Sequence, residues 1–303
     1  MTVSNKVRLD RLGSIYLFHP LVRALNRDVE RVPILMYHGV RDESESGHPY
    51  YQTNTSPAVF AGQMQYLRDN GYEVLDLAEA SRSLELGESK GRRVVITFDD
   101  GYKDFYANAY PILRDYGFTA TVFVISGITG EAGLRFKRHE CMTWQEVREI
   151  KGNGIGIGSH TATHPQLKTL SKAGIDREIG WSKQMIEDKL GHSITSFSYP
   201  FAFPKTQCSL VAFVGQTLLK YGYREGVSTV IGTASSRSAR LFLPRLPVND
   251  WDDIRLFRAK LEGGYDWLYI PQTLAKLVRR GGRDLPVGKP RRTKSWATSQ
   301  DGG

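Results

Sequence analysis

Two short stretches hold the residues best suited to chemistry. The segment TFDDG (97–101) sets Asp99 and Asp100 side by side directly after a hydrophobic run. Neighbouring residues at the end of a strand point in different directions, so such a pair can divide labour. One carboxylate can hold a metal while the other faces a substrate as a base. An aspartate there could equally cap a following helix by accepting its free backbone N–H groups. The segment HTATH (160–164) places two imidazoles four residues apart, on one side of a helical turn or a tight loop. His160, His164 and Asp100 together offer two nitrogens and one oxygen, leaving positions open for water and substrate. That donor set suits a catalytic divalent metal, zinc first. Co, Ni or Fe(II) would accept it too, because ligand type alone does not choose among them.

These residues need a frame that brings them together. RVVITF (93–98) is the cleanest strand pattern in the chain, and VPILMYH (32–38) is another, ending at His38. Further strand patterns fall at 72–77, 120–126, 154–160, 196–200, 223–229 and 241–245. Helical spacing follows Ser56-Pro57 and recurs at 77–86, 104–116, 143–150, 172–190, 207–221 and from about 251. Strands apolar on both faces, alternating with helices, imply a parallel sheet covered on both sides. At least seven of them predict an α/β fold of the (β/α) barrel kind. Chemistry in such barrels gathers at the carboxyl ends of the strands. Here those ends are His38, Asp99-Asp100, Ser159-His160 and Tyr199-Pro200, all predicted on one face.

The chain has 303 residues, 40% of them hydrophobic, enough for a full core. No apolar run reaches the roughly 18 residues of a membrane span. The amino terminus shows no secretory pattern, which predicts a cytoplasmic protein. Residues 14–25 could form a short amphipathic helix through Ile15, Leu17, Phe18, Leu21, Val22 and Leu25, expected to pack on the domain. Of the formal charge of +9, residues 271–303 carry eight basic side chains against Asp284 and Asp301. That reads as a solvated, disordered basic tail. It could touch anionic lipid at a membrane surface or an acidic polymer; with no aromatic interleaving, it is not expected to bind nucleic acid. Cys141 and Cys208 have no metal spacing and are expected as free thiols. The expected division is an N-terminal extension (1–30), one catalytic domain (31–270) and the tail (271–303).

TFDDG followed by HTATH resembles the first two motifs of the polysaccharide deacetylases, the family that includes the chitooligosaccharide deacetylases of nodulation. LMYH (35–38), MTW (142–144) and GIGIGSHTATHPQL (154–167) are similar to the family as well, and the likeness spans roughly residues 31–262. The resemblance implies a distorted (β/α)7 barrel, with Asp99 as general base and Asp100, His160 and His164 as metal ligands. The third family motif, Arg-x-Pro-Tyr/Phe, is matched by Ser198-Tyr199-Pro200-Phe201. The Phe201 N–H would help an oxyanion site, and Tyr199 would line the groove. The motif's arginine, which orients the base, is absent; Arg245, at the end of a late strand, is the candidate replacement. The late histidine that supplies the family's general acid is absent too. His38 would take that role, since the first and last strands of a closed barrel are neighbours. The alternative for His38 is a structural histidine under a loop. Asp250 and Trp251 match the fourth motif only loosely.

The implied activity is metal-dependent removal of N-acetyl groups from an N-acetylhexosamine-containing oligo- or polysaccharide, with Tyr102, Tyr199, Phe201 and Phe203 available to stack on sugar rings. Formyl, O-acetyl ester and cyclic amide substrates remain alternatives within the same chemistry. A carbohydrate-binding protein without catalysis is the alternative outside it.

Overall fold

The computed structural model describes residues 8–25, 30–43, 45–88, 91–202 and 208–272. Phe203 and the basic residues from Lys276 onward lie outside these segments. Among the described residues, eight parallel strands form one sheet: β1 (Ile34–Tyr37), β2 (Glu73–Leu75), β3 (Arg93–Phe98), β4 (Thr121–Val124), β5 (Gly156–Ser159), β6 (Ser196–Ser198), β7 (Glu225–Ile231) and β8 (Leu243–Pro247). Strand β1 pairs with β3 on one side, Ile34 opposite Val95, and with β8 on the other, Leu35 opposite Leu246. Those two pairings close β1, β3, β4, β5, β6, β7 and β8 into a seven-stranded barrel. The pattern at 72–77 is a strand, but β2 pairs only with the first half of β3 and stays outside the ring.

Around the barrel lie α1 (Pro57–Asp69), α2 (Leu77–Leu86), α3 (Tyr110–Tyr116), α4 (Trp144–Gly152), α5 (Lys172–Leu190), α6 (Cys208–Lys220) and α7 (Ile254–Leu261). Their starts follow local chemistry. Ser56 and Asp76 cap α1 and α2, and Thr143 with Glu146 forms a reciprocal capping box on α4. Among the described residues no backbone N–H of the following helix, which begins at Lys103, donates to the Asp99 or Asp100 carboxylate, which removes the helix-cap reading of the acidic pair.

Alternation along the strands divides the core in two. Leu35, Tyr37, Val94, Ile96, Phe98, Val122 and Val124 belong to the large cluster beneath the helices. Ile34, Val95, Phe123, Val227 and Leu243 form a smaller cluster that fills the barrel interior. Two residues further along the same inward rows, the interior becomes polar. Val95 is followed by Thr97 and Asp99, Leu243 by Arg245, and Ser196 by Ser198, all buried. Gly158 makes room for this plug: a Cβ there would stand 2.5 Å from the Phe123 ring and 2.8 Å from the Ser196 carbonyl oxygen.

The amino-terminal helix begins earlier than the sequence pattern suggests. It runs from Leu9 to Leu25, with a π-type turn over Ser14–Phe18. Ile15, Phe18 and Val22 turn inward, and Phe18 stacks on Trp267 at 4.7 Å. Leu17, Leu21 and Leu25, expected to pack with them, are exposed instead. Both cysteines are free thiols. Among the described residues no helix is long and apolar enough to cross a membrane.

Candidate active site

The carboxyl ends of the barrel strands bring His38, Asp99, Asp100, His160, His164, Phe201 and Arg245 to one mouth. Asp99 ends the inward row of β3, its N–H donating to the Tyr37 carbonyl (3.0 Å). Asp100 follows with φ of 70°, a left-handed conformation that swings its carboxylate away from that of Asp99. The turn continues through Gly101, also left-handed, where a Cβ would come within 3.1 Å of Val124.

HTATH is a tight loop rather than a helical turn. The His160 N–H donates to Val124 O (2.9 Å), fixing the start of the loop to β4. Thr161 and His164 both take left-handed φ, 66° and 59°. Backbone N–H groups of Ala162 and Thr163 donate to Glu178 Oε2 of α5 at 3.0 and 2.9 Å, and the Thr163 hydroxyl donates to Oε1. Glu178 is therefore the anchor of the loop. A glutamate inside a long helical pattern gives no sequence signal for that duty.

Three ligand atoms converge here. His160 Nδ1 is engaged with the Ser198 carbonyl at 2.8 Å, which leaves Nε2 facing the mouth. That Nε2 lies 3.5 Å from Asp100 Oδ1, and His164 Nε2 lies 3.4 Å from the same oxygen. Ligands about 2.1 Å from a tetrahedral ion are separated by about 3.4 Å, so the spacing matches a shared cation. Asp100 Oδ1 is buried without a hydrogen-bond partner among the described residues, as an oxygen reserved for a cation would be. All three side chains are buried, and their ligand atoms lie within 4.8 Å of one another. The residues present thus fit a divalent metal.

Beside them Arg245 holds Asp99. Its Nη1 donates to Asp99 Oδ1 (2.8 Å) and Thr97 Oγ1 (3.1 Å), and its Nη2 to Asp99 Oδ2 (2.7 Å) and Ser198 Oγ (3.0 Å). Nε donates to the Ser228 carbonyl (3.0 Å), so all five N–H groups are used. Arg245 is wholly buried, with the Phe123 ring beneath its guanidinium. Ser198, standing where the motif's arginine would be, donates its hydroxyl to Asp99 Oδ1 (3.0 Å). Arg245 thus reaches the carboxylate from β8 instead of β6.

Electrostatics follow from this packing. Burial pushes the Asp99 carboxyl up, but Arg245, His160 and His38 outweigh it and hold the group well below the usual carboxylate range. Asp100 is likewise raised by burial and lowered further by His160 and His38. Burial, helped by His160, pushes His164 down to about 3, which keeps the imidazole neutral and able to act as a ligand. His38, partly exposed at the rim, has Nε2 4.0 Å from Asp99 Oδ2, and burial lowers its pKa against the pull of Asp100 and Asp99.

The aromatic rim differs from the sequence reading. Phe201, left-handed at φ 56° and 43% exposed, lies 4.6 Å from the His164 ring. Tyr199 is a correction: strand alternation sends Ser198 inward and Tyr199 outward, where it packs between Phe197 and Phe242 at 1% exposure. It cannot line a groove. Tyr102 is also buried, its ring against Phe136 and His139. The rim gains two residues that sequence reasoning passed over as a polar loop. A hairpin of Arg135–Phe136 and His139–Glu140 carries Phe136 to 4.8 Å from the His164 ring and Lys137 Nζ to 3.7 Å from Asp100 Oδ2. Asp250, a weak motif candidate, accepts from the Ser56 N–H and hydroxyl and so fastens the start of α1. Trp251 donates its indole N–H to Gln52.

Comparison with known proteins agrees with this geometry. The polysaccharide deacetylase family model matches residues 87–218. YxkH of Bacillus subtilis strain 168, whose name places it among the polysaccharide deacetylases, is 33% identical over 233 residues, covering 77% of this chain and 76% of its own. The poly-beta-1,6-N-acetyl-D-glucosamine N-deacetylase of Staphylococcus aureus is 26% identical over 207 residues, 65% of this chain and 68% of its own. Among solved structures, the Streptococcus pyogenes deacetylase PplD in complex with acetate superposes with a TM-score of 0.67 at 28% identity, covering 77% of this chain and 99% of that one. With the barrel, the acidic pair and the histidine loop in one mouth, the chain belongs to the polysaccharide deacetylase family, hydrolases that act on carbon–nitrogen bonds.

Proposed function

We propose that this chain is a metal-dependent deacetylase that removes N-acetyl groups from an N-acetylhexosamine-containing oligo- or polysaccharide. The observation that carries the reading is the convergence of Asp100 Oδ1, His160 Nε2 and His164 Nε2 beside a second carboxylate, Asp99, held by Arg245. A binding protein would need neither the buried ligand set nor the adjoining ion-paired base. The substrate class is supported by the name of the staphylococcal relative, which acts on a polymer of N-acetylglucosamine.

Asp100, His160 and His164 would hold the divalent ion, with zinc the first choice on donor type. When bound, the ion supplies Lewis-acid polarisation of the acyl oxygen and makes a water nucleophile available near neutral pH. Asp99 takes the proton of the attacking water. Arg245 and Ser198 keep that carboxylate ionised and aimed into the mouth. The Phe201 N–H helps to meet the charge that develops on the acyl oxygen. His38, in its protonated form, hands a proton to the departing sugar nitrogen from the rim next to Asp99. The products are acetate and a free amine. Phe136 and Phe201 offer the faces on which a sugar ring can rest beside His164.

The test is acetate release from an N-acetylglucosamine oligomer after chelation and then with Zn or Co restored. Metal-restored acetate is the expected outcome. A folded, metal-loaded protein that releases formate or ester-derived acetate, but nothing from the amide, would replace the substrate and leave the site chemistry standing. Sugar binding that survives chelation with no product from any substrate would remove the catalytic reading.

A further inference from the structure

Among the described residues, the amino-terminal helix carries an outward apolar face that no other part of the chain covers. Leu9, Leu12, Tyr16, Leu17, Leu21 and Leu25 are 42 to 73% exposed. The π-type turn at Ser14–Phe18 winds more residues into one turn, which keeps Tyr16 and Leu17 in phase with Leu21 and Leu25. Opposite them, Asp10, Ser14, Phe18 and Val22 hold the helix to the barrel. Asp10 is paired with Arg8 and accepts the Tyr265 hydroxyl, and Ser14 accepts from the Trp267 indole. The helix is thus held by these polar contacts and by the stacking of Phe18 on Trp267, while its leucines point away. An apolar face of this extent marks a contact surface.

Its surroundings state what the face fits. Val22 and Arg23 form one flank of a cleft of about 280 Å³ whose other walls hold Arg31, Arg92, Arg93 and Arg258; Glu262 pairs with Arg23 and Arg258, Asp266 with Arg31 and Glu73 with Arg93, so five cations stand against three carboxylates and the cleft keeps a positive balance. At the other end Arg8 donates to the carbonyl of Trp251, and Arg11 pairs with Asp253. Trp251 and Ile254, both partly exposed, extend the apolar face there. The chain as a whole has a formal charge of +9, and residues 273–303 hold eight basic side chains against two acidic ones. A second copy docked on this face about a two-fold axis would bring like arginine clefts together, which charge opposes. An anionic surface has the complementary sign.

We propose that the outward face of residues 9–25 docks on an anionic lipid bilayer, its leucines entering the headgroup boundary and the arginine cleft beside it meeting lipid phosphates. The helix starts next to Trp251, after β8, and ends next to Arg31, Arg92 and Arg93, at the beginnings of β1 and β3. It therefore runs along the barrel wall. Docking by this face lays the barrel axis along the membrane and leaves the mouth open sideways, close to the surface, where a membrane-proximal glycan could enter.

The experiment is flotation of the full chain with vesicles of phosphatidylcholine alone and of phosphatidylcholine and phosphatidylglycerol in equal parts. The protein should float with the anionic vesicles and much less with the neutral ones. L17E/L21E should lower partitioning about tenfold or more, and Arg23→Glu about fivefold. Acetate release from a soluble oligomer should stay unchanged in each, and so should the unfolding temperature of L17E/L21E, whose side chains are exposed; Arg23→Glu also gives up the ion pair with Glu262, so its binding is read on the folded protein below its own unfolding temperature. Full binding by a folded L17E/L21E variant would overturn the proposal. So would binding that vanishes when residues 273–303 are removed but survives L17E/L21E, or a dimer in solution that these substitutions dissociate. Vesicle binding is read independently of catalysis, so its failure would leave the deacetylase reading untouched.

Discussion

Replacing Arg245 by methionine should unbalance the molecule more than any other single change at the site. The guanidinium is 0% and Asp99 2% exposed, and the two make paired hydrogen bonds of 2.8 and 2.7 Å. Solvent screens almost none of this. Without Arg245 the Asp99 carboxylate keeps, among the described residues, the Ser198 hydroxyl as its uncharged donor, and the Ser228 carbonyl and Thr97 hydroxyl lose a donor each. Removing one partner of a buried pair costs about 3–5 kcal/mol. That is a large share of the about 5–15 kcal/mol that holds a typical domain together. Asp99→Asn should also destabilise, since it strands the guanidinium. The double variant D99N/R245M buries no charge at this point and should fall short of the sum of the single losses by about 2 kcal/mol or more. Urea unfolding of the four proteins, followed by tryptophan fluorescence in metal-free buffer, gives the cycle. Arg245→Lys keeps the charge but loses the planar fork. It should retain much of the stability while kcat falls and KM changes little. Losses that add to within about 0.5 kcal/mol would refute the reasoning, because independent sites add and a shared buried pair cannot.

Other perturbations probe different parts of the same mouth. His38→Gln should lower kcat about 10²–10⁴-fold with metal affinity unchanged, measured by steady-state kinetics and metal titration, as a rim proton donor would. Glu178→Ala removes the acceptor of two backbone N–H groups in the histidine loop and should weaken metal binding about 10–100-fold, read by competition with a chromogenic chelator. Gly158→Ala drives a methyl into the Phe123 ring and the Ser196 carbonyl and should cost about 1–3 kcal/mol in urea unfolding. Burial raises the Asp253 carboxyl, but the Leu256 N–H and Arg11 lower it further, so its net shift is downward. A depressed carboxyl stabilises above its unfolded pKa of about 3.9 and loses that contribution as pH falls through the folded value. The thermal advantage of wild type over Asp253→Ala should accordingly shrink below about pH 4.

Much of the site was legible because its residues end strands whose two apolar faces announce them. RVVITF had to be buried on both sides, so Asp99 and Asp100 had to stand at its mouth. Arg245 was legible for a related reason: an arginine at the end of an apolar strand must find an anion, and Asp99 was the anion without its expected partner. Parity was the weaker instrument. Tyr199 looked like a groove residue because it follows a strand, yet it sits one residue from the inward Ser198 and so faces the helices. The pattern at 72–77 described a strand without saying that it would pair below the ring. Phe136 and Lys137 reach the mouth through a two-residue-wide hairpin that leaves no periodicity to detect. On the amino-terminal helix, the shift of register at the π-type turn separated Leu17, Leu21 and Leu25 from the packing face that straight helical spacing assigned them.

The backbone itself argues that the mouth is built for chemistry. Among the described residues, the left-handed positions not occupied by glycine are Asp100, Lys137, Arg138, Thr161, His164 and Phe201. Two of these turn the hairpin that carries Phe136; of the other four, Asp100 and His164 belong to the ligand cluster and Thr161 and Phe201 stand beside it. A left-handed conformation costs a side-chain-bearing residue about 1–2 kcal/mol, and glycine would avoid most of it. The strain is held by local bonds: the Thr161 N–H donates to Ser159 Oγ, the His164 N–H to Thr161 Oγ1, and Glu178 gathers the two amides between. A fold needing only a turn at these points could use glycine. Here glycine would delete the Asp100 carboxylate, the His164 imidazole or the Phe201 ring, and at Thr161 the hydroxyl that fixes His164. Strain is therefore retained where the side chain is required. His164→Gly should show the division directly, with unfolding little changed in metal-free buffer while the stabilisation by added zinc disappears. A variant as strongly zinc-stabilised as wild type would mean that the loop is strained for some other end.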